Sequence, residues 1–252
     1  MLRAPLGKRV WFLGSTLCWE GDDGAVDRLP WPGELPMSYR AVGHGMQVWS
    51  RSGRSWFDLT TRRPITNGKD GEGAFFVRGT MLYEGRNNRT WWRRDATGEP
   101  VAIAALHGCQ VLGLFDDDQL LCRRQNGKDT LQLFLWHVAK DEVLPITVPS
   151  ALRAAGSVGV IAPMHEYGSL LARDPAGRIW FSANNGHRYD QWLLDAATLA
   201  MRPAWASERD ASASFRLLQW LGADAVLVSE GAKILRVDLT TGARTVLFPR
   251  PN

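Results

Sequence analysis

Cysteine is scarce: the 252 residues include only Cys18, Cys109 and Cys122. The number is odd and no C-x-x-C spacing occurs. That pattern excludes a disulfide framework, a zinc ribbon and a dithiol redox motif, and implies buried thiols in a reducing compartment. Long apolar runs are missing too. No stretch approaches the ~18 residues needed to span a membrane, so no membrane association is expected. The start, MLRAPLGKRVWFLGSTLCW, has the basic and apolar order of a lipoprotein signal, but Gly14, Ser15 and Thr16 interrupt it. Leu17 precedes Cys18 where signal peptidases need a small residue. A cytoplasmic protein whose first strand lies within this segment is the expectation.

Lysine is also rare, at five of the 30 basic residues, so guanidinium groups carry the positive charge. With 26 acidic residues the net charge is only +4, and no long basic run exists. This argues against a nucleic-acid coat despite a pI near 9.2. Helix signals are nearly absent. The best is VPSALRAAG at 148–156, where Pro149-Ser150 starts a single turn and Gly156 ends it. No low-complexity linker divides the chain, so one domain over 1–252 is expected.

What the chain has in abundance is a repeated hairpin: an apolar strand, a polar turn, then a strand carrying an aromatic. It reads MQVWSRSGRSWFDL at 46–59, MLYEGRNNRTWWRRD at 81–95 and LLCRRQNGKDTLQLFLWHV at 120–138. It returns as WFSANNGHRYDQWLLD at 180–195 and AVLVSEGAKILRVDL at 225–239, with a fainter copy, LCWEGDDGAVDRL, at 17–29. A second marker follows each aromatic strand, a turn headed by Asp. It appears in FDLTT at 57–61, RDATG at 94–98, LDAAT at 194–198 and VDLTTG at 237–242, with His137 in the equivalent place in WHVAKDE. Asp and Thr side chains hydrogen-bond the turn backbone, and Gly takes positive φ.

These turns and hairpins resemble β-propeller repeats of the quinoprotein-like, YVTN-like and NHL-like kinds. DPAGRIWFSA at 174–183 is similar to an NHL-type hairpin. The resemblance implies an all-β fold and a single propeller of six four-stranded blades, with five or seven as alternatives. The blades fall at 8–38, 39–68, 73–104, 108–150, 165–206 and 213–248. The segment 157–168 is then surplus, and the first blade has Pro and Trp where its Asp-Thr turn is expected. Most of the twelve tryptophans are expected to fill the wedges between blades. Trp31, set between Pro30 and Pro32, is the expected exposed exception.

Motifs for chemistry are weak. Gly127-Lys128-Asp129 lacks the first Gly and the Ser/Thr of a phosphate loop. Asp116-Asp117-Asp118 and Asp22-Asp23-Gly24 lack the alternating ligands and closing Glu of a calcium loop. His44, His107, His137, His165 and His187 fall in separate repeats. No catalytic residue, cofactor or metal is assigned. The candidate site is the set of polar turns between second and third strands, which the propeller resemblance places on one face. It comprises Arg51 and Arg54; Arg86, Asn87, Asn88 and Arg89; Lys128 and Asp129; and Asn184, Asn185, His187, Arg188, Tyr189 and Asp190. Arginine, asparagine and aromatics on one rim favour a protein partner. The first reading is therefore a non-enzymatic binding module, in its concrete form a bacterial immunity protein or inhibitor capping a cognate toxin. The alternative is a propeller hydrolase or lyase acting at the central channel. Nucleic-acid binding through RTWWRR at 89–94 ranks last.

Overall fold

A computed structural model describes residues 2–3, 9–20, 24–42, 45–59, 62–65, 74–77, 80–84, 91–94, 101–125, 130–155, 157–163, 171–184, 189–206 and 215–249. Among them the fold is nearly all β, in six four-stranded sheets whose strands pair in chain order. The first sheet holds Leu2–Arg3 (β1), Arg9–Leu13 (β2), Thr16–Glu20 (β3) and Val26–Pro30 (β4). The second holds Ser38–Val42 (β5), Gly45–Ser50 (β6), Gly53–Asp58 (β7) and Arg63–Ile65 (β8). The third is Ala74–Val77 (β9), Thr80–Glu84 (β10), Trp91–Arg94 (β11) and Val101–Ala102 (β12). The fourth is Gln110–Leu114 (β13), Gln119–Arg124 (β14), Gln132–His137 (β15) and Glu142–Ile146 (β16). The fifth is Ser157–Ile161 (β17), Arg178–Asn184 (β18), Tyr189–Asp195 (β19) and Met201–Ala206 (β20). The sixth is Phe215–Trp220 (β21), Ala225–Glu230 (β22), Lys233–Asp238 (β23) and Arg244–Pro249 (β24). One helical turn, Ser150–Arg153 (α1), begins after Pro149 as the sequence predicts. A 3-10 turn at Ala104–Leu106 was not foreseen.

Two of the sequence assignments need correction. The faint copy at 17–29 falls on β3 and β4, so it is the hairpin between third and fourth strands. The true second-to-third turn of that sheet is Gly14-Ser15, between β2 and β3. The segment 157–168 is not surplus, because its first five residues form β17, which pairs with β18 from Ser157↔Asn184 to Ile161↔Trp180.

Contacts group the chain into two compact units, one of residues 1–122, 135–143 and 168–170, the other of 123–134, 144–167 and 171–252. Within the first, Val10, Leu17 and Trp19 pack with Met46, Val48 and Phe57, joining the first two sheets. Within the second, Trp180, Leu193 and Trp205 pack with Leu217, Val226, Val228, Leu235 and Val237, joining the fifth and sixth. Alternation along each strand explains this pattern, since every second residue faces the neighbouring sheet. Full burial of each such side chain is worth about 1.5–3 kcal/mol. No tryptophan with a described side chain is exposed.

The turn from third to fourth strand follows one geometry. The backbone N–H of the fifth residue donates to the carbonyl of the first in Asp141→His137, Leu199→Asp195 and Gly242→Asp238, each at 2.9 Å. That fifth residue is left-handed, with φ of 55° at Asp141, 57° at Leu199 and 71° at Gly242. Arg62 (φ 58°) stands four residues after Asp58, and Gly24 (φ 77°) four after Glu20. Glu20 thus precedes a left-handed residue at the same spacing, upstream of where the sequence places the Asp-headed turn. The next residue after the head clasps the turn before the second strand. Val138 N–H donates to Asp118 O, Ala196 to Gly177 O and Leu239 to Asp224 O. The head carboxylates hold their own turns. Asp238 Oδ1 accepts from Thr240 N, Thr241 N and Thr241 Oγ1 at 2.8–2.9 Å. Asp195 Oδ1 accepts from Ala197 N and Thr198 N.

At two of the three non-glycine left-handed positions the side chain anchors something. Asp141 Oδ1 accepts from the buried Trp136 indole at 2.8 Å. Arg62 donates to Asp27 Oδ1 at 2.9 Å and lies 5.5 Å from the centre of the Trp19 ring.

Gly242→Ala is expected to lower stability by about 1–2 kcal/mol in chemical denaturation, since only the left-handed backbone is penalised. A Cβ there meets nothing within 4 Å. Gly242→Asn should cost less, because Asn tolerates this conformation; equal costs for the two would refute the backbone explanation.

Hydrogen bonds from Thr198 in one turn and Thr241 in the other hold the Asp195 and Asp238 carboxyls below their ordinary value. A depressed folded-state pKa adds stability at pH values above the unfolded pKa of about 3.9, and that contribution fades as pH falls through the folded value. The paired Asp195→Asn, Asp238→Asn variant should therefore show a flatter loss of stability below about pH 4. An unchanged acid limb in pH-dependent denaturation would count against this.

Candidate functional site

Within the first unit, the β2–β3 and β6–β7 turns lie at one end with the connection from β4 to β5. Trp31 N–H donates to Ser15 O and Met37 N–H to Trp49 O, both at 2.8 Å. Glu34 Oε2 accepts from Ser52 N at 3.0 Å, and Glu34 O accepts from the Trp31 indole at 2.9 Å. The connection at 31–37 is thus tied to the β2–β3 turn on one side and the β6–β7 turn on the other. Its side chains are divided by these bonds into an inner and an outer group.

Trp31 belongs to the inner group, contrary to its expected exposure. Its ring sits 5.3 Å from Phe12 and 5.3 Å from Phe57, half-buried against the core joining the first two sheets. The flanking prolines turn the backbone so that the indole points inward. The outer group is apolar instead: Leu35 is 53% exposed and Met37 68%, with Leu13 at 66% on the adjoining turn. Arg51 is exposed beside them on the β6–β7 turn. Sequence reasoning missed them because it searched turns for polar groups. The available signal was GELPM, a loop in which apolar residues serve no strand.

The predicted site residues divide unevenly. Arg51 is an exposed residue of the β6–β7 turn. Arg54 lies in β7, paired with Trp49, and its side chain is outside the described set. Arg86, Asn87, Asn88, Arg89, Lys128, Asp129, Asn185, His187 and Arg188 lie outside the described residues. Asn184 and Tyr189 close the β18–β19 ladder as a cross-strand pair. Tyr189 is directed to the core rather than the loop tip, its ring stacked on Phe215 at 6.3 Å. Asp190 follows Tyr189 in the strand and so faces the opposite side of the sheet. These three are therefore strand-end residues, and they do not form one polar tip.

Other candidate chemistry resolves into structure. In the Asp116–Asp118 run, Asp116 Oδ1 accepts from Asp118 N at 2.9 Å within the β13–β14 turn. His137 heads a turn, and its Nδ1 accepts from Lys140 N at 3.4 Å. The three cysteines are buried and form no disulfide. Asp174 is the most heavily bonded carboxylate described. It accepts from Ala176 N, Arg178 N, Arg178 Nε and the Trp180 indole at 2.8–3.0 Å. Burial lowers the Arg123 guanidinium from its ordinary value, and neighbouring Arg124 lies 5.8 Å from the centre of the Phe134 ring. Among the described residues, no group of three or more His, Cys, Asp or Glu side chains could hold a metal.

No family model and no curated protein matches the sequence. Among solved structures, the chain is similar to TolB from Acinetobacter baumannii at 16% identity and a TM-score of 0.43, covering 91% of this chain and 58% of that one. It is similar to a prolyl endopeptidase at 10% identity and a TM-score of 0.46, covering 96% of this chain and 42% of that one. Similarity to the WD40 domain of SCAP from fission yeast has 8% identity and a TM-score of 0.44, covering 86% and 58% of the two chains. These neighbours are β-propeller or WD40-type proteins. The chain thus spans well under two-thirds of each of these three.

Proposed function

We propose that the chain is a non-enzymatic protein-binding module and that the end bearing Leu13, Leu35, Met37 and Arg51 docks the partner. The supporting observation is the exposed pair Leu35 and Met37 on a loop fixed by four hydrogen bonds, with Leu13 exposed at the end of β2. Large exposed apolar groups cost solubility and are kept where a partner covers them. A preorganised loop also loses little entropy on binding. In its finer form the partner is a cognate toxin or effector, and the module acts as an immunity protein or inhibitor. The three reduced, buried thiols suit the cytoplasm. The six sheets would be the blades of one closed propeller formed by residues 1–252. In that form the polar turns of the other sheets share the docking rim.

Leu35→Asp with Met37→Asp should change stability by no more than about 0.5 kcal/mol, because both side chains are exposed. The same pair should weaken a stoichiometric complex, copurified from the native cell, by at least about tenfold, a change worth 1.4 kcal/mol. Equal capture by wild type and variant would reject this docking end. A chain that stays free at micromolar concentration beside the products of neighbouring genes would reject the toxin form.

A single closed domain predicts one cooperative calorimetric transition, with van't Hoff and calorimetric enthalpies equal. Two separate transitions would overturn the single-domain form.

A further inference from the structure

An open strand edge is a liability, because its N–H and C=O groups can pair with another chain. In all six sheets the fourth strand bonds to a neighbour on one side only. Apart from Leu13 at the end of β2, every exposed large apolar side chain in a described strand lies on one of these. They are Val26 on β4, Val101 on β12, Val143 and Leu144 on β16, and Val246, Leu247 and Phe248 on β24. Five of the six strands carry a guard. β4 (VDRLP) holds Asp27 and Arg28, and β8 (RPI) holds Arg63 and Pro64. β16 (EVLPI) holds Glu142 and Pro145, β20 (MRPAWA) holds Arg202 and Pro203, and β12 has only two residues. Charge, interior proline and shortness are devices that stop edges from pairing. β24 lacks them. RTVLFP has its charge at the first position and its proline at the last, and residues 245–248 between them are neutral.

The three exposed apolar side chains of β24 are consecutive, at 53%, 47% and 65%. Ala243 O accepts from Asp238 N, so Ala243 faces β23. By alternation Thr245, opposite Arg236, faces β23 as well, and Val246 turns its N–H and C=O to the open side. Val246 stands opposite Leu235 and Phe248 opposite Ile234, with the bulge at Leu247 between them. Ile234 and Leu235 are successive residues, so Val246 and Phe248 lie on opposite faces of the sheet. A strand added here meets an apolar side chain on either face. A bulge is itself a mild guard, but β20 has one too and still carries Arg202 and Pro203.

We propose that β24 pairs antiparallel with β24 of a second copy of the chain, about a two-fold axis at Val246. The two Val246 residues exchange both backbone bonds, N–H of each to C=O of the other, which makes the contact self-complementary. Arg244 of one copy then lies toward the Pro249 end of the other, away from its like charge. Its Nη1 is 3.5 Å from Glu230 Oε2 of its own sheet. A parallel pair would set the two arginines side by side. The pairing uses up the open edge of both copies, so assembly stops at a dimer. Six residues are a short edge beside the about 1,200–2,000 Å² of a stable interface, so the dimer is weak and concentration-dependent. This contact belongs to the sixth sheet and does not depend on the docking end of the first unit.

Sedimentation velocity of the full chain from about 5 to 500 micromolar, with hydrogen exchange at the Val246 amide, tests this. The expected result is a rise toward twice the monomer mass, with exchange at Val246 slowing several-fold over the same range. Val246→Pro removes the outward N–H and no bond to β23, and should weaken self-association at least about tenfold. Leu247→Lys supplies the missing guard and should act alike. Its side chain is half exposed, so this variant folds even if the proline variant does not. A chain that is monomeric throughout overturns the proposal, and Val246 exchange slowed only by a foreign peptide assigns the edge to a partner's strand instead. A dimer that survives Leu247→Lys or a folded Val246→Pro, or one that leaves Val246 exchange unchanged, also overturns it.

Discussion

The third-to-fourth-strand turn is the constraint on which the rest of the architecture depends. Its five residues must close a backbone bond from fifth to first while the fifth stands left-handed. The residue after the head then bonds back to the turn preceding the second strand. Two hairpins are thereby locked at one end of a sheet, and the alternation of side chains along both inner strands follows. If the register slipped by one residue, every inward tryptophan would move to the opposite face. Trp180 and Trp205 could not then meet Leu217 and Leu235 across the seam.

Because backbone atoms make the lock, the sequence at these turns is free to vary. His137, Asp195 and Asp238 occupy one structural place with two kinds of side chain, and Glu20 and Asp58 stand at the same spacing before a left-handed residue. Gly24, Arg62, Asp141, Leu199 and Gly242 share the next. The energetic penalty of a non-glycine there has a local return at two sites. Arg62 reaches Trp19 and Asp27, and Asp141 completes the hydrogen bonding of Trp136. Degeneracy of the repeat therefore reflects a shared geometry met by different local bonds. It also explains why the match to any one repeat consensus is poor.

Much of the fold was legible for this reason. Strand order and sheet borders follow from alternation and from Asp-headed turns, which are local properties. The first sheet was misjudged because Glu20 replaces Asp and Gly24 replaces the Thr-Gly end, leaving no consensus to read. β17 was missed because SVGVI is short and its partner, β18, lies beyond a long connection, so pairing could not be inferred locally. The site was less legible. Polar turns were sought for their composition, whereas the distinguishing features are side-chain directions. Trp31 points in although it stands between prolines; Leu35 and Met37 point out although they are apolar. Tyr189 turns to Phe215 and leaves the loop it was assigned to.

The same directional logic separates two kinds of polar burial. Asp174 is nearly inaccessible, yet four donors surround it, among them an arginine whose charge it balances. Such a carboxylate is a structural element, since removing it strands Arg178 and the Trp180 indole in a low-dielectric interior. Gln191, Trp205 and Glu230 are nearly as buried, but each keeps one atom without a partner. Burial alone therefore does not make a polar group structural; the bonds around it do.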